Sequence, residues 1–159
     1  MNYGKNSGKK RPPNATNMLI NEWSSVISEI GCDNLIIGGK SMGGRIASLV
    51  ANSLYNDDLI QGVVCLGYPF HPLKRPDQLR TERLGSFSAP MLIVQGERDP
   101  MGGREEVDNY VLSDQIQIRW IADGDHSLSP RKRSGFTLKQ NLDQAIRCVD
   151  VFMNDVCNR

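Results

Sequence analysis

The chain has 159 residues, with 19 basic against 18 acidic side chains and a net charge of +1. That length suits one domain with a sizeable core, and so balanced a charge gives no general attraction to nucleic acid or anionic membrane. No apolar run reaches transmembrane length, and the basic residues Lys5, Lys9, Lys10 and Arg11 are not followed by the apolar stretch of a signal peptide.

Residues 1–15, with Gly4, Gly8, Pro12 and Pro13, read as a loop or disordered lead-in to a single domain spanning 1–159. A helix follows. Thr16 or Asn17 caps it, Leu19, Ile20, Trp23, Val26, Ile27 and Ile30 form its apolar face, and Gly31 stops it. Leu35, Ile36 and Ile37 read as a buried strand, and Arg45 to Tyr55 as a helix with Ile46, Ala47, Val50, Ala51 and Leu54 on one face. A second buried strand runs from Gln61 to Gly67, followed by a proline-punctuated loop, Tyr68 to Pro76, and a short helix over 77–84. Pro90 to Gly96 is the third buried strand, and Glu105 to Val111 reads as a helix. Gln115 to Ile121 alternates polar and apolar, which suits a half-buried edge strand. The basic loop Arg131-Lys132-Arg133 leads to a last helix from about Thr137, with Leu138, Leu142, Ala145, Ile146, Val149, Phe152 and Met153 as its face.

Strands that alternate with helices, three of them apolar on both faces, predict a three-layer α/β/α sandwich with a mostly parallel sheet. Right-handed crossovers bring the C-terminal ends of all strands to one edge, where ligands bind in such sheets.

Gly39-Lys40-Ser41-Met42-Gly43 lies between the first strand and its helix, a G-x-S-x-G match in the strand-turn-helix context the motif requires. The flanking glycines leave room for a tight turn, and the strained serine projects its hydroxyl. The start of the next helix supplies backbone N–H groups and a positive dipole end, which favour a developing oxyanion. Gly39-Lys40-Ser41 also matches the tail of a phosphate-binding loop, but that motif needs glycine at position 34, which is Asn, and a loop where Leu35 to Ile37 is strand-like. The remaining reading is a glycine-rich turn with an incidental serine.

Asp99 follows the third strand and His126 the fourth, so Ser41, Asp99 and His126 all fall just past strand ends. A serine hydroxyl needs a base to take its proton, and imidazole as a class titrates near neutrality. A carboxylate fixes the ring tautomer and stabilises the imidazolium. Each residue has a plainer role available: Asp99 as a turn former before Pro100, His126 as a loop histidine. Glu97 is a spare acid, His71 a loop or pocket-lining residue, and Asp123 and Asp125 read as turn formers. Cys32, Cys65, Cys148 and Cys157 match no zinc or redox spacing and read as reduced thiols of a cytoplasmic protein, and no cofactor or metal motif is visible.

The order Ser, Asp, His is that of the α/β-hydrolases. With Lys10 to Pro13, Gly39 to Arg45, Leu66 to Pro72, Val94 to Gly102 and Gly124 to Leu128, the chain resembles the small dienelactone-hydrolase-like members of that fold. The resemblance implies Ser41 as nucleophile, Asp99 as acid, His126 as base and the N–H of Met42 as first oxyanion donor. It implies no particular acyl substrate, and the group also includes interaction domains, so a non-catalytic scaffold is the alternative to an esterase-like enzyme.

The fold normally begins with three or four strands before the helix that here starts near residue 17, and a loop among them supplies the second oxyanion N–H. A truncated reading frame and a minimal domain both account for the difference. A weak enzyme is expected in either case. So is a homodimer through the apolar strand at Leu35–Ile37, unless residues 1–15 fold back over it. A further expectation is that Arg75, Arg80, Arg83 and Arg131–Arg133 hold an anionic substrate or partner, against the alternative of a solvated surface.

Overall fold

The computed structural model describes residues 16–32 and 34–158, so the reading of residues 1–15 as a lead-in lies outside the described residues. The elements are α1 (Thr16–Ile30), β1 (Ile36–Lys40), α2 (Met42–Asn56), β2 (Gly62–Leu66), β3 (Met91–Gly96), α3 (Arg104–Val107), β4 (Ile116–Ile121) and α4 (Leu138–Cys157). The four strands are parallel and ordered β1-β2-β3-β4.

Side-chain alternation along the strands sorts the layers. Val63, Cys65, Met91 and Ile93 meet α1 and α2 on one face, together with Ile27, Ala47, Val50, Ala51 and Leu54. Leu92 and Val94, with the half-buried Ile36, Val64 and Leu66, meet Ala145, Phe152 and Val156 of α4 on the other. This is the expected α/β/α sandwich. Ile46, Ala47, Val50, Ala51 and Leu54 of α2 are at most 5% exposed. Burying each of the larger ones contributes roughly 1.5–3 kcal/mol, more than helix propensity alone can offer a segment with two glycines in its first turn. Tertiary packing therefore holds the helix that follows the serine.

The differences from the sequence reading have local causes. Residues 77–84 form turns, because the Arg80 N–H donates across the loop to the Phe70 carbonyl at 2.7 Å instead of up a helix. Helix α3 is a single turn. Three-residue bonds, Asn109 N–H to Glu106 O and Tyr110 N–H to Val107 O, tighten and end it. Helix α4 starts where expected, in a capping box between Thr137 and Gln140, but only part of its expected face, Ala145, Val149 and Phe152, packs inward. Asn141 is buried and donates its amide to Leu128 O at 2.8 Å and Ala122 O at 3.2 Å. That anchor turns Leu138, Leu142, Ile146 and Met153 outward. Finally, β1 is written like a central strand but lies at one end of the described sheet, with Gly38 and Lys40 exposed.

Candidate active site

Ser41 occupies the single residue between β1 and α2, at φ 53° and ψ −117°. An L-residue there is strained by about 1–3 kcal/mol, so the surroundings must hold it. They do so through the backbone: the Ser41 N–H donates to Leu66 O at 2.9 Å, and Ser41 O accepts from the Arg45 N–H at 3.0 Å. Close backbone approach explains Gly39, whose added Cβ would lie 2.9 Å from the Gly43 carbonyl carbon, and Gly44, whose Cβ would meet Gly39 O at 2.6 Å. Gly43, the second glycine of the motif, faces open space. The steric demand thus falls one residue later than the motif suggests. Under this turn the buried Cys65 thiol donates to Gly44 O at 3.2 Å, and burial pushes its pKa well up, so it stays a thiol. Because Ile36 to Lys40 form β1, the phosphate-loop reading has no loop to rest on.

His126 stands in the loop after β4. Its Nε2 lies 2.8 Å from Ser41 Oγ and its Nδ1 lies 2.8 Å from Asp99 Oδ2. With Asp99 ionised, the consistent tautomer has Nδ1–H donating to the carboxylate, which leaves Nε2 to accept the Ser41 hydroxyl proton. The imidazole is partly open to solvent, while the Asp99 side chain is fully buried. Asp99 is also held by the Met101 N–H on Oδ1 at 2.9 Å and by Gln95 Nε2 on Oδ2 at 3.0 Å. Three strand ends therefore bring the sequence-predicted Ser41, Asp99 and His126 into one hydrogen-bonded line. The Met42 N–H, in the first turn of α2, belongs to the donors that a helix start leaves without intrahelical partners.

The other candidates sort apart from this line. Glu97 pairs with Arg104 at 3.1 Å and accepts the Asp123 N–H at 3.0 Å. His71 is buried, facing Pro72 O at 2.9 Å and Glu106 at 3.2 Å. Asp125 is the turn former expected, accepting the Ser127 and Ser129 N–H groups on one oxygen. Asp123 does occupy a left-handed turn position, φ 50°, but it is also an ion-pair hub. Its carboxylate meets Arg98 at 2.9 Å and accepts Arg131 Nε at 2.8 Å, and the Arg131 hydrogen bond holds its pKa at about 2. These bonds tie both ends of the His126 loop.

Gln95 was not legible as a site residue. It is fully buried; its Oε1 accepts the Tyr68 N–H at 2.7 Å and its Nε2 donates to Tyr68 O, Gly102 O and Asp99. The available signal was one amide at the end of the otherwise apolar Met91 to Val94. Among the described residues, no group of three His, Cys, Asp or Glu side chains is disposed to hold a metal ion, and no helix is long and apolar enough to cross a membrane.

A family model described as an alpha/beta hydrolase domain matches residues 1–154. Among solved structures the chain is similar to a membrane phospholipase A described as a bacterial virulence factor, at 13% identity and TM-score 0.65, over 99% of this chain and 68% of that one. It is also similar to a CIB-like hydrolase from Thermoplasma acidophilum, at 14% identity and TM-score 0.56, over 89% of this chain and 61% of that one. A monoacylglycerol lipase from Paleococcus ferrophilus matches at 15% identity and TM-score 0.64, over 91% of this chain and 77% of that one. Likeness at these identities is likeness of fold, and the chain spans 61% to 77% of the length of the three. With the family model covering nearly the whole sequence, the chain belongs to the alpha/beta hydrolase domain family.

Proposed function

We propose that this protein is a serine hydrolase that cleaves an ester or related acyl compound through Ser41. The observation that carries the reading is the continuous path from Ser41 Oγ to His126 Nε2 and from Nδ1 to Asp99, each contact 2.8 Å. Ser41 Oγ attacks the acyl carbonyl carbon while His126 Nε2 takes its proton. Asp99 keeps the ring oriented and stabilises the imidazolium. The carbonyl electron pair moves to oxygen, which the Met42 N–H and the α2 dipole stabilise. Collapse expels the leaving alcohol, protonated by His126. Water then repeats the sequence on the acyl-enzyme and releases the acid. The strained backbone of Ser41 supports the same reading, since strain of this kind collects at reactive positions. An acyl-ester substrate also fits the similar structures described as a phospholipase A and a monoacylglycerol lipase.

Labelling with a fluorophosphonate probe tests the proposal. Native protein is expected to be modified at Ser41, and Ser41→Ala is expected to be silent. A folded native protein that resists the probe would return the chain to the scaffold reading.

A further inference from the structure

Beside the Ser41 turn, a cavity of about 220 Å³ opens between the first turn of α1, the outer side of α2 and the loop after β2. Arg45, Arg80 and Arg83 line it, with the hydroxyl-bearing Ser48 and Tyr68. Ser48 and Tyr68 are 5% and 2% exposed, and Arg45 and Arg80 are half-buried. The backbone fixes the wall: Arg80 N–H donates to Phe70 O at 2.7 Å, Arg80 O accepts the Tyr68 hydroxyl at 3.4 Å, and Ser48 Oγ donates to Arg45 O at 2.7 Å.

Among the described residues these arginines differ from three others in their ion pairs. Arg98, Arg104 and Arg131 each pair with a carboxylate. Among the described residues, Arg45, Arg80 and Arg83 have no such ion pair, although Glu82 also lines the cavity. Residues 1–15, which precede α1, contain no Asp or Glu. Two guanidinium groups that line one cavity in half-buried surroundings repel each other, a cost that an anion between them relieves.

We propose that this cavity binds the phosphate group of a small anionic ligand, held between Arg45 and Arg80 with Arg83 at the rim. Guanidinium forks match a tetrahedral oxyanion bidentately, and two of them match its double charge. The first turn of α1 adds the positive end of a 15-residue helix. The volume lies below the roughly 300–1,000 Å³ of pockets that enclose whole organic ligands, which suits a single charged group. Burial and the neighbouring Arg45 charge both push the Arg80 pKa down. The two remaining basic clusters differ: Arg131 already spends its charge on Asp123, and Arg75 lies outside the cavity in solvent. This site does not depend on Ser41 acting as a nucleophile.

The test is thermal unfolding of the full chain against inorganic phosphate at constant ionic strength, with acetate and glycerol 3-phosphate as parallel arms. A saturable rise with millimolar phosphate is expected, equally in Ser41→Ala, so that failure of this site and failure of the hydrolase reading stay distinguishable. Arg45→Gln and Arg80→Gln are expected to weaken binding at least tenfold, and Arg75→Gln to leave it unchanged. If the first two fail to fold, Arg83→Gln decides: threefold weakening supports the site and an unchanged constant overturns it. Tighter binding of glycerol 3-phosphate identifies a phosphate ester as the ligand, and equal binding identifies free phosphate. No saturable response to either, or saturation by acetate alone, overturns the proposal.

Discussion

Gln95 donates its side-chain amide to Asp99 Oδ2 at 3.0 Å, the same oxygen that faces the His126 ring at 2.8 Å. The carboxylate is thus fixed from behind by a buried residue that also satisfies both backbone groups of Tyr68. Gln95→Leu keeps the volume and removes all four bonds. Each buried group left without a partner costs about 1–3 kcal/mol. Urea unfolding should show a loss of at least that size, with a slower fluorophosphonate reaction in the protein that remains folded. Unchanged stability would mean that water replaces the amide.

Asp99→Asn tests the orientation of the imidazole. An amide in this position can donate to Nδ1, which moves the ring proton to Nε2 and leaves no acceptor for Ser41. The rate of probe labelling should drop by roughly 10³–10⁴ while the fold survives. A Glu97→Gln control should label at close to the native rate, because Glu97 faces Arg104 and the Asp123 N–H.

Turnover should be slow even with the relay in place. Among the described residues the reading names one backbone oxyanion donor, Met42, and losing one of two donors costs roughly 10²–10³ in kcat. Against a common kcat of about 10 s⁻¹, hydrolysis of p-nitrophenyl acetate is expected at roughly 0.01–0.1 s⁻¹. Ordinary rates would point to a second donor.

Acid should release the loop that carries His126. Asp123 is held at about 2, against 3.8 for an ordinary Asp, first of all by the Arg131 hydrogen bond. Its folded value is depressed, so the stabilisation is fully present above about pH 5 and disappears as pH falls toward 2. Native protein should therefore exceed Asp123→Asn in stability from pH 5 to 7, and the two should converge near pH 2. A gap that persists unchanged into acid would contradict the assignment.

Strand β1 forms one edge of the described sheet. Its outer backbone has no strand partner among the described residues, and Met18, Val26 and Ile30 of α1 are 43–52% exposed. We infer that a second copy covers this side about a two-fold axis. Light scattering after size exclusion should give twice 17.7 kDa, and Val26→Lys with Ile30→Lys should give the monomer. A native chain that is monomeric at micromolar concentration would exclude the dimer.

The sheet was legible because each buried strand is an apolar run closed by glycine or a polar turn, and the site because three of the four strand ends each hand over one reactive side chain. What could not be read depends on long-range bonds. Nothing in Asp77 to Leu84 announces that the Arg80 N–H will cross to Phe70. The apolar stripe of α4 is wider than its contact, and only the bonds of Asn141 to Leu128 and Ala122 choose which part faces inward. Asp123 looks like any turn aspartate until Arg98 and Arg131 arrive from 25 and 8 residues away.

The backbone of Ser41 bears on the history of the chain. At φ 53° and ψ −117°, glycine would sit with little of the strain that serine carries, about 1–3 kcal/mol. Ser41→Gly should therefore raise the melting temperature by a few degrees while ending all labelling. A lineage that used this domain only to bind partners would gain that stability with one mutation. Carrying the costlier residue fits the proposed use of its hydroxyl as a nucleophile.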